Sequence, residues 1–136
     1  MFYETQLLIP KNTPATAPVE AVLYIHPGAV KRISVFFPPG CVGLARCIIQ
    51  YWERQIWPSN PDSFLSGDDI SIVFSEDFEI IDPPFEFVVQ GWNLDDTYPH
   101  TVTARVEILP NEKDITKILS NLAAPRTGIT RETGEY

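Results

Sequence analysis

Apolar and polar residues alternate with a period of two along most of the first 110 positions. That pattern predicts strands with one dry and one wet face, which are antiparallel. Residues 3–9 (YETQLLI) read as an N-terminal strand. In 19–25, Val19, Ala21, Leu23 and Ile25 share a face; in 31–37, Ile33, Val35 and Phe37 do so. In 44–51, Ala45, Cys47, Ile49 and Tyr51 oppose Arg46 and Gln50. Ile70, Ile72 and Phe74 form the face of another strand, and 78–81 reads as a separate short one. Phe85, Phe87 and Val89 follow in 85–92. The cleanest alternation comes last, with Val102, Ala104, Val106 and Ile108 against Thr101, Thr103, Arg105 and Glu107.

Prolines punctuate these segments, at Pro27, Pro38-Pro39, Pro58, Pro61, Pro83-Pro84, Pro99 and Pro110 among others. About eight short strands with turn signals between them predict an all-β fold: an antiparallel two-sheet β-sandwich, jelly-roll or immunoglobulin-like. A closed barrel is the next alternative. No useful helix is expected within 1–110, and no internal repeat is visible. The chain divides into a β-sandwich domain, 1–110, and a C-terminal helical or extended arm, 111–136.

The pattern changes after Pro110. Ile115, Ile118, Leu119 and Leu122 fall at i, i+3, i+4 and i+7, an amphipathic helical stripe. A helix of about a dozen residues does not hold itself folded in water. The stripe is therefore expected to pack on its own sandwich, on a sister subunit or on a different protein, and these four residues are the predicted partner interface. Beyond them, RTGITRETGEY is largely polar.

Charge narrows the partners. The chain has 136 residues, with 18 acidic and 10 basic side chains and a formal charge of -8. Between Gln55 and Ala104 it has no Lys or Arg, yet it carries Asp62, Asp68, Asp69, Glu76, Asp77, Glu79, Asp82, Glu86, Asp95 and Asp96. Phosphates and anionic lipid would be repelled, so neither nucleic acid nor membrane is an expected partner. No apolar run approaches the roughly 18 residues of a spanning helix, and MFYETQLLIPKN has no signal-peptide pattern.

Candidate chemistry is sparse. Cys41 and Cys47 are expected to be buried thiols, six residues apart on one strand. His26 and His100 have no His or Cys at ligand spacing. The pairs Asp68-Asp69 and Asp95-Asp96, with Asn93 and Thr97, could supply calcium oxygens, but the DxDxDG spacing is missing. Adjacent aspartates in a strand point to opposite faces, so neither pair forms a catalytic dyad. The nucleophile and phosphate-loop motifs are absent. No catalytic residue, metal or cofactor is expected, and the protein reads as non-enzymatic. Trp52, Trp57 and Trp92, with Tyr51, Tyr98, Asn60, Asp62 and Asn93, also allow a carbohydrate- or calcium-dependent binding module, against the alternative that the tryptophans fill the core.

The stretch FPPGCVGLARCIIQYWERQIWPSNPD (37–62), together with GWNLDDTYPHTVTARVEIL (91–109), resembles small β-sandwich proteins encoded in phage and provirus structural gene modules. The likeness covers 3–109 and rests on WPSNPD and WNLDDTYPHT; residues 110–136 have no counterpart in it. It implies a virion component, made in the host cytoplasm: a capsid decoration, cement or minor capsid protein. Such a protein would self-associate and join a larger capsid-like assembly through protein–protein contacts.

Overall fold

A computed structural model describes residues 1–110 and 119–120. Among the described residues nine strands form: β1 (Phe2–Ile9), β2 (Val19–Tyr24), β3 (Gly28–Phe37), β4 (Ala45–Tyr51), β5 (Arg54–Trp57), β6 (Leu65–Ser66), β7 (Ile70–Ile80), β8 (Glu86–Asn93) and β9 (His100–Pro110). All pairings are antiparallel. One sheet runs β1-β9-β3-β7, and the other β2-β8-β4-β5, with β6 also on β4.

The pairings reduce to a simple plan. In chain order β1 meets β9, β2 meets β8, β3 meets β7, and β4 meets β5 and β6, as in one long hairpin. Two further pairings, β3 with β9 and β4 with β8, wrap that hairpin into two layers. This is jelly-roll order, and the two sheets are hydrogen-bonded separately rather than closed into a barrel. β5 and β6 divide one edge position between them: β6 pairs with Arg46 and Cys47, and β5 with Ile49–Tyr51.

Alternation delivers the core. Leu7, Ile9, Val30, Ile33, Val35, Phe37, Val102, Ala104, Val106 and Ile108 project from the first sheet, and Leu23, Ala45, Cys47, Ile49, Phe87 and Val89 from the second. The phase breaks once within β3. Val30 and Ile33 are both buried because the register shifts between Val30 and Arg32 against both β9 and β7. A bulge thus absorbs the consecutive charges Lys31 and Arg32. Lys31 Nζ then donates to Asp77 Oδ1 at 2.7 Å.

Two local expectations are corrected. Ile70–Ile80 is one continuous strand, not two. Its core-side register runs Ile72, Phe74, Glu76, Phe78 and Ile80, and Glu76 is the polar residue that made it look divided. A further short strand, Arg54–Trp57, leads into WPSNPD. Cys41 and Cys47 do not share a strand: β4 begins at Ala45, and Cys41 lies in the preceding loop. Both thiols are buried and free. Burial pushes the Cys47 thiol up to about 12. Burial, then Asp68 and Asp95, raise that of Cys41. Neither is an activated nucleophile.

Candidate functional site

Two polar clusters contain the sequence's aspartate pairs: one orders the turn that holds it and the other ties down a neighbouring loop. Asn93 ends β8 fully buried. Its Nδ2 donates to Tyr98 O at 3.0 Å, while its Oδ1 accepts the Asp95 N–H at 2.9 Å. Asp95 Oδ1 accepts the N–H groups of Thr97 at 2.8 Å and Tyr98 at 3.2 Å, and Oδ2 meets His100 Nε2 at 2.9 Å. The 93–100 turn is thus held by an Asx-type network, which also bonds the 9–13 segment through Asn12 N–H to Asp95 O at 2.8 Å. Asp68 accepts the N–H groups of Gly40 at 2.9 Å and Val42 at 3.0 Å, tying the 38–44 loop down. Among the described residues no group of three His, Cys, Asp or Glu side chains could hold a metal ion.

The Asp95 network makes stability depend on pH. Its carboxyl lies below the usual 3.8, first through the Thr97 N–H and next through the His100 hydrogen bond. A depressed folded-state pKa contributes stability above the unfolded value, and that contribution is lost as pH falls through the folded value. Asp95→Asn should therefore be less stable than the parent at pH 6. The gap should narrow as urea midpoints are measured from pH 4 downward. A gap independent of pH would show that the carboxylate's charge plays no part.

The tryptophans separate into three roles. Trp57 is only 3 % exposed and belongs to the core. A register shift between Ile49 and Gln50 pairs Trp57 with Ile49 and so turns it inward. Its indole N–H donates to Glu76 Oε2 at 3.0 Å, which satisfies the polar residue on the inner face of β7. Trp92 is half-buried, edge-on to Phe64 with ring centroids 5.9 Å apart. Trp52 is exposed, at 64 %. It sits with Glu53 in the two-residue turn between β4 and β5, and both have positive φ, 57° and 59°. That is the type I′ geometry that usually calls for Asn-Gly, and non-glycine residues adopt it at a cost.

Trp52 stands at the rim of a groove of about 810 Å³ over the outer face of the second sheet. Its lining includes Glu20, Gln50, Val88, Gln90, Glu53 and Glu86. Gln90 Nε2 donates to Glu20 Oε2, which fixes an amide and a carboxylate side by side. The outer face of the first sheet differs, because there Arg105 Nε donates to Glu4 Oε1 at 2.8 Å and Arg32 lies 3.8 Å from Glu107. In the sequence, Trp52 is not distinguishable from Trp57 and Trp92. Nothing local marks Trp-Glu as a type I′ turn, so its position as the exposed one is a tertiary result.

Of the predicted interface residues, Ile115, Ile118 and Leu122 lie outside the described residues; Leu119 is helical and exposed. WPSNPD is ordered by Gln55, whose Nε2 donates to Pro58 O at 2.8 Å and Ser63 O at 3.1 Å. His26 Nδ1 lies 2.6 Å from Tyr3 Oη, far along the chain from His100.

The fold and these clusters define an all-β, two-sheet sandwich protein of jelly-roll order. The chain matches no protein-family model and no curated protein.

Proposed function

We propose that the protein is a non-enzymatic structural component of a viral or virus-like assembly: a capsid decoration, cement or minor capsid protein that self-associates and joins the shell through protein–protein contacts. The observation that carries this reading is the jelly-roll strand order, an architecture shared by capsid and lectin domains. It is supported by the use made of the aspartate pairs, whose Asp68 and Asp95 hold loops through backbone N–H groups. The resemblance of WPSNPD and WNLDDTYPHT to phage structural modules points the same way. Native mass spectrometry of the full chain tests it: a defined homo-oligomer, or co-sedimentation with particles, is the expected result. A strict monomer that joins no particle fraction would overturn it.

A second reading, a carbohydrate-binding module, draws on one observation. Trp52 offers an open ring face beside the Glu20–Gln90 pair, and sugars stack on such faces while planar polar groups bind their hydroxyls. Glycan-array binding lost in Trp52→Ala would favour it. Trp57→Ala is no probe of it, because that residue is core.

A further inference from the structure

The strand register sets the plan of the groove on the outer face of the second sheet. Gln50 of β4 is paired with Val88 of β8, and both line the groove. Trp52 and Glu86 each lie two residues beyond that pair, toward the same end, where Glu53, Pro83 and Pro84 also line it. At the other end Glu20 of β2 is paired with Gln90 of β8, and the hydrogen bond between their side chains draws the Glu20 carboxylate toward β8. Glu86, Val88 and Gln90 share one face of β8. The two ends are therefore four residues apart, about 13 Å along the strand.

Charge selects the occupant. Glu20, Glu53 and Glu86 line the groove, and among the described residues no Lys or Arg does. Two cations are near in sequence or register. Arg54 follows Glu53 at the start of β5. Arg46 is paired with Trp92, beyond Gln90, and is engaged: its Nε donates to Gly43 O at 3.2 Å, and its guanidinium lies 4.3 Å from the Phe64 ring centroid. Carboxylates gathered in one groove without a counter-cation favour a positive ligand over a neutral sugar. The exposed Trp52 ring adds the aromatic face over which an arginine or lysine cation is attracted.

Shape selects the conformation. The groove holds about 810 Å³. A helix 13 Å long and 10–12 Å across would displace roughly 1,000–1,500 Å³. In an extended chain, residues i and i+4 point the same way and stand about 13 Å apart, which matches the separation of the two ends. Residue i+2 then faces Val88.

We propose that this groove binds an extended basic segment of a partner protein, through two arginine or lysine side chains four residues apart. One lies over Trp52 beside Glu86, and the other meets Glu20 beside Gln90. The inference concerns the groove alone, so it goes beyond the structural role proposed above, and it competes with the carbohydrate reading of the same surface.

The test titrates the peptide acetyl-TRTVTRT-amide into the isotopically labelled full chain, followed by NMR. Saturable shifts of the Trp52 indole and of the 86–90 amides are expected, and added salt should weaken the binding. Affinity should fall about tenfold in Glu20→Gln/Glu86→Gln, which loses two exposed ion pairs. It should fall about two- to fivefold in Trp52→Ala, which loses one cation–π contact, and recover in part in Trp52→Phe. Acetyl-TRRVTTT-amide has the same composition with its arginines on opposite faces, and should bind about tenfold more weakly than the first peptide. That comparison uses the unaltered chain and needs no variant to fold. No binding, equal affinity for the two peptides, or shifts confined to another face would overturn the inference. Cellohexaose moving the same signals while the peptide does not would overturn it in favour of the carbohydrate reading. Each of these results leaves the oligomer and particle measurements, and so the structural role, to stand or fall separately.

Discussion

Trp57→Ala should cost about 3–5 kcal/mol of folding stability, the usual range for removing a buried Trp or Phe side chain. Trp57 contacts Phe74, Phe78 and Phe87, with ring centroids 6.1, 5.9 and 5.2 Å away, and so joins β5 to β7 and β8. Truncation would open a cavity where β5 and β7 share no backbone hydrogen bonds, and it would strand the Glu76 carboxylate that accepts the indole N–H. Single domains are stable by only about 5–15 kcal/mol, so the variant should unfold at far lower urea or accumulate as insoluble protein. Trp57→Phe separates the two contributions. It keeps most of the ring but loses the donor, and should cost about 1–3 kcal/mol. Wild-type urea midpoints for both variants would show that the aromatic cluster is not what joins the two sheets on this flank.

Gly28→Val should destabilise by about 3 kcal/mol, the upper end of overpacking costs. A Cβ at Gly28 would lie 2.5 Å from the Leu109 carbonyl oxygen and 2.9 Å from Pro110 Cα. Both are backbone atoms of β9, the strand that pairs with Gly28. No side-chain rotation relieves the clash, so β3 and β9 would have to part at the Pro110 end of β9. Ala29→Val next to it, on the outward face, should shift stability by only about 0.5 kcal/mol. Equal urea midpoints for the two valine variants would refute the close approach.

Some of this was legible in the chain and some was not, for identifiable reasons. The β8 and β9 faces appear in the sequence as simple alternation, because both strands are central and each buries one face. β7 looked like two strands because Glu76 interrupts its apolar face, and the group that makes Glu76 tolerable, the Trp57 indole, is 19 residues away in sequence. β5 and β6 escaped notice because four- and two-residue strands carry too few positions to show a period. The Asp95-Asp96 pair suggested a cation. The structure gives Asp95 to two backbone N–H groups and His100, partners that adjacency in sequence cannot rank.

By itself, the sequence determined the all-β, antiparallel class, through period-two burial with proline-rich breaks; that the strands stack as two sheets and do not close into a barrel was settled by their pairing. Its charge pattern likewise made 56–103 a stretch without Lys or Arg. Strand order, the inward turn of Trp57, the outward display of Trp52 and the groove beside it were decided by the tertiary structure. Each depends on which strands lie side by side, and pairing is a contact between distant residues that leaves the local pattern unchanged.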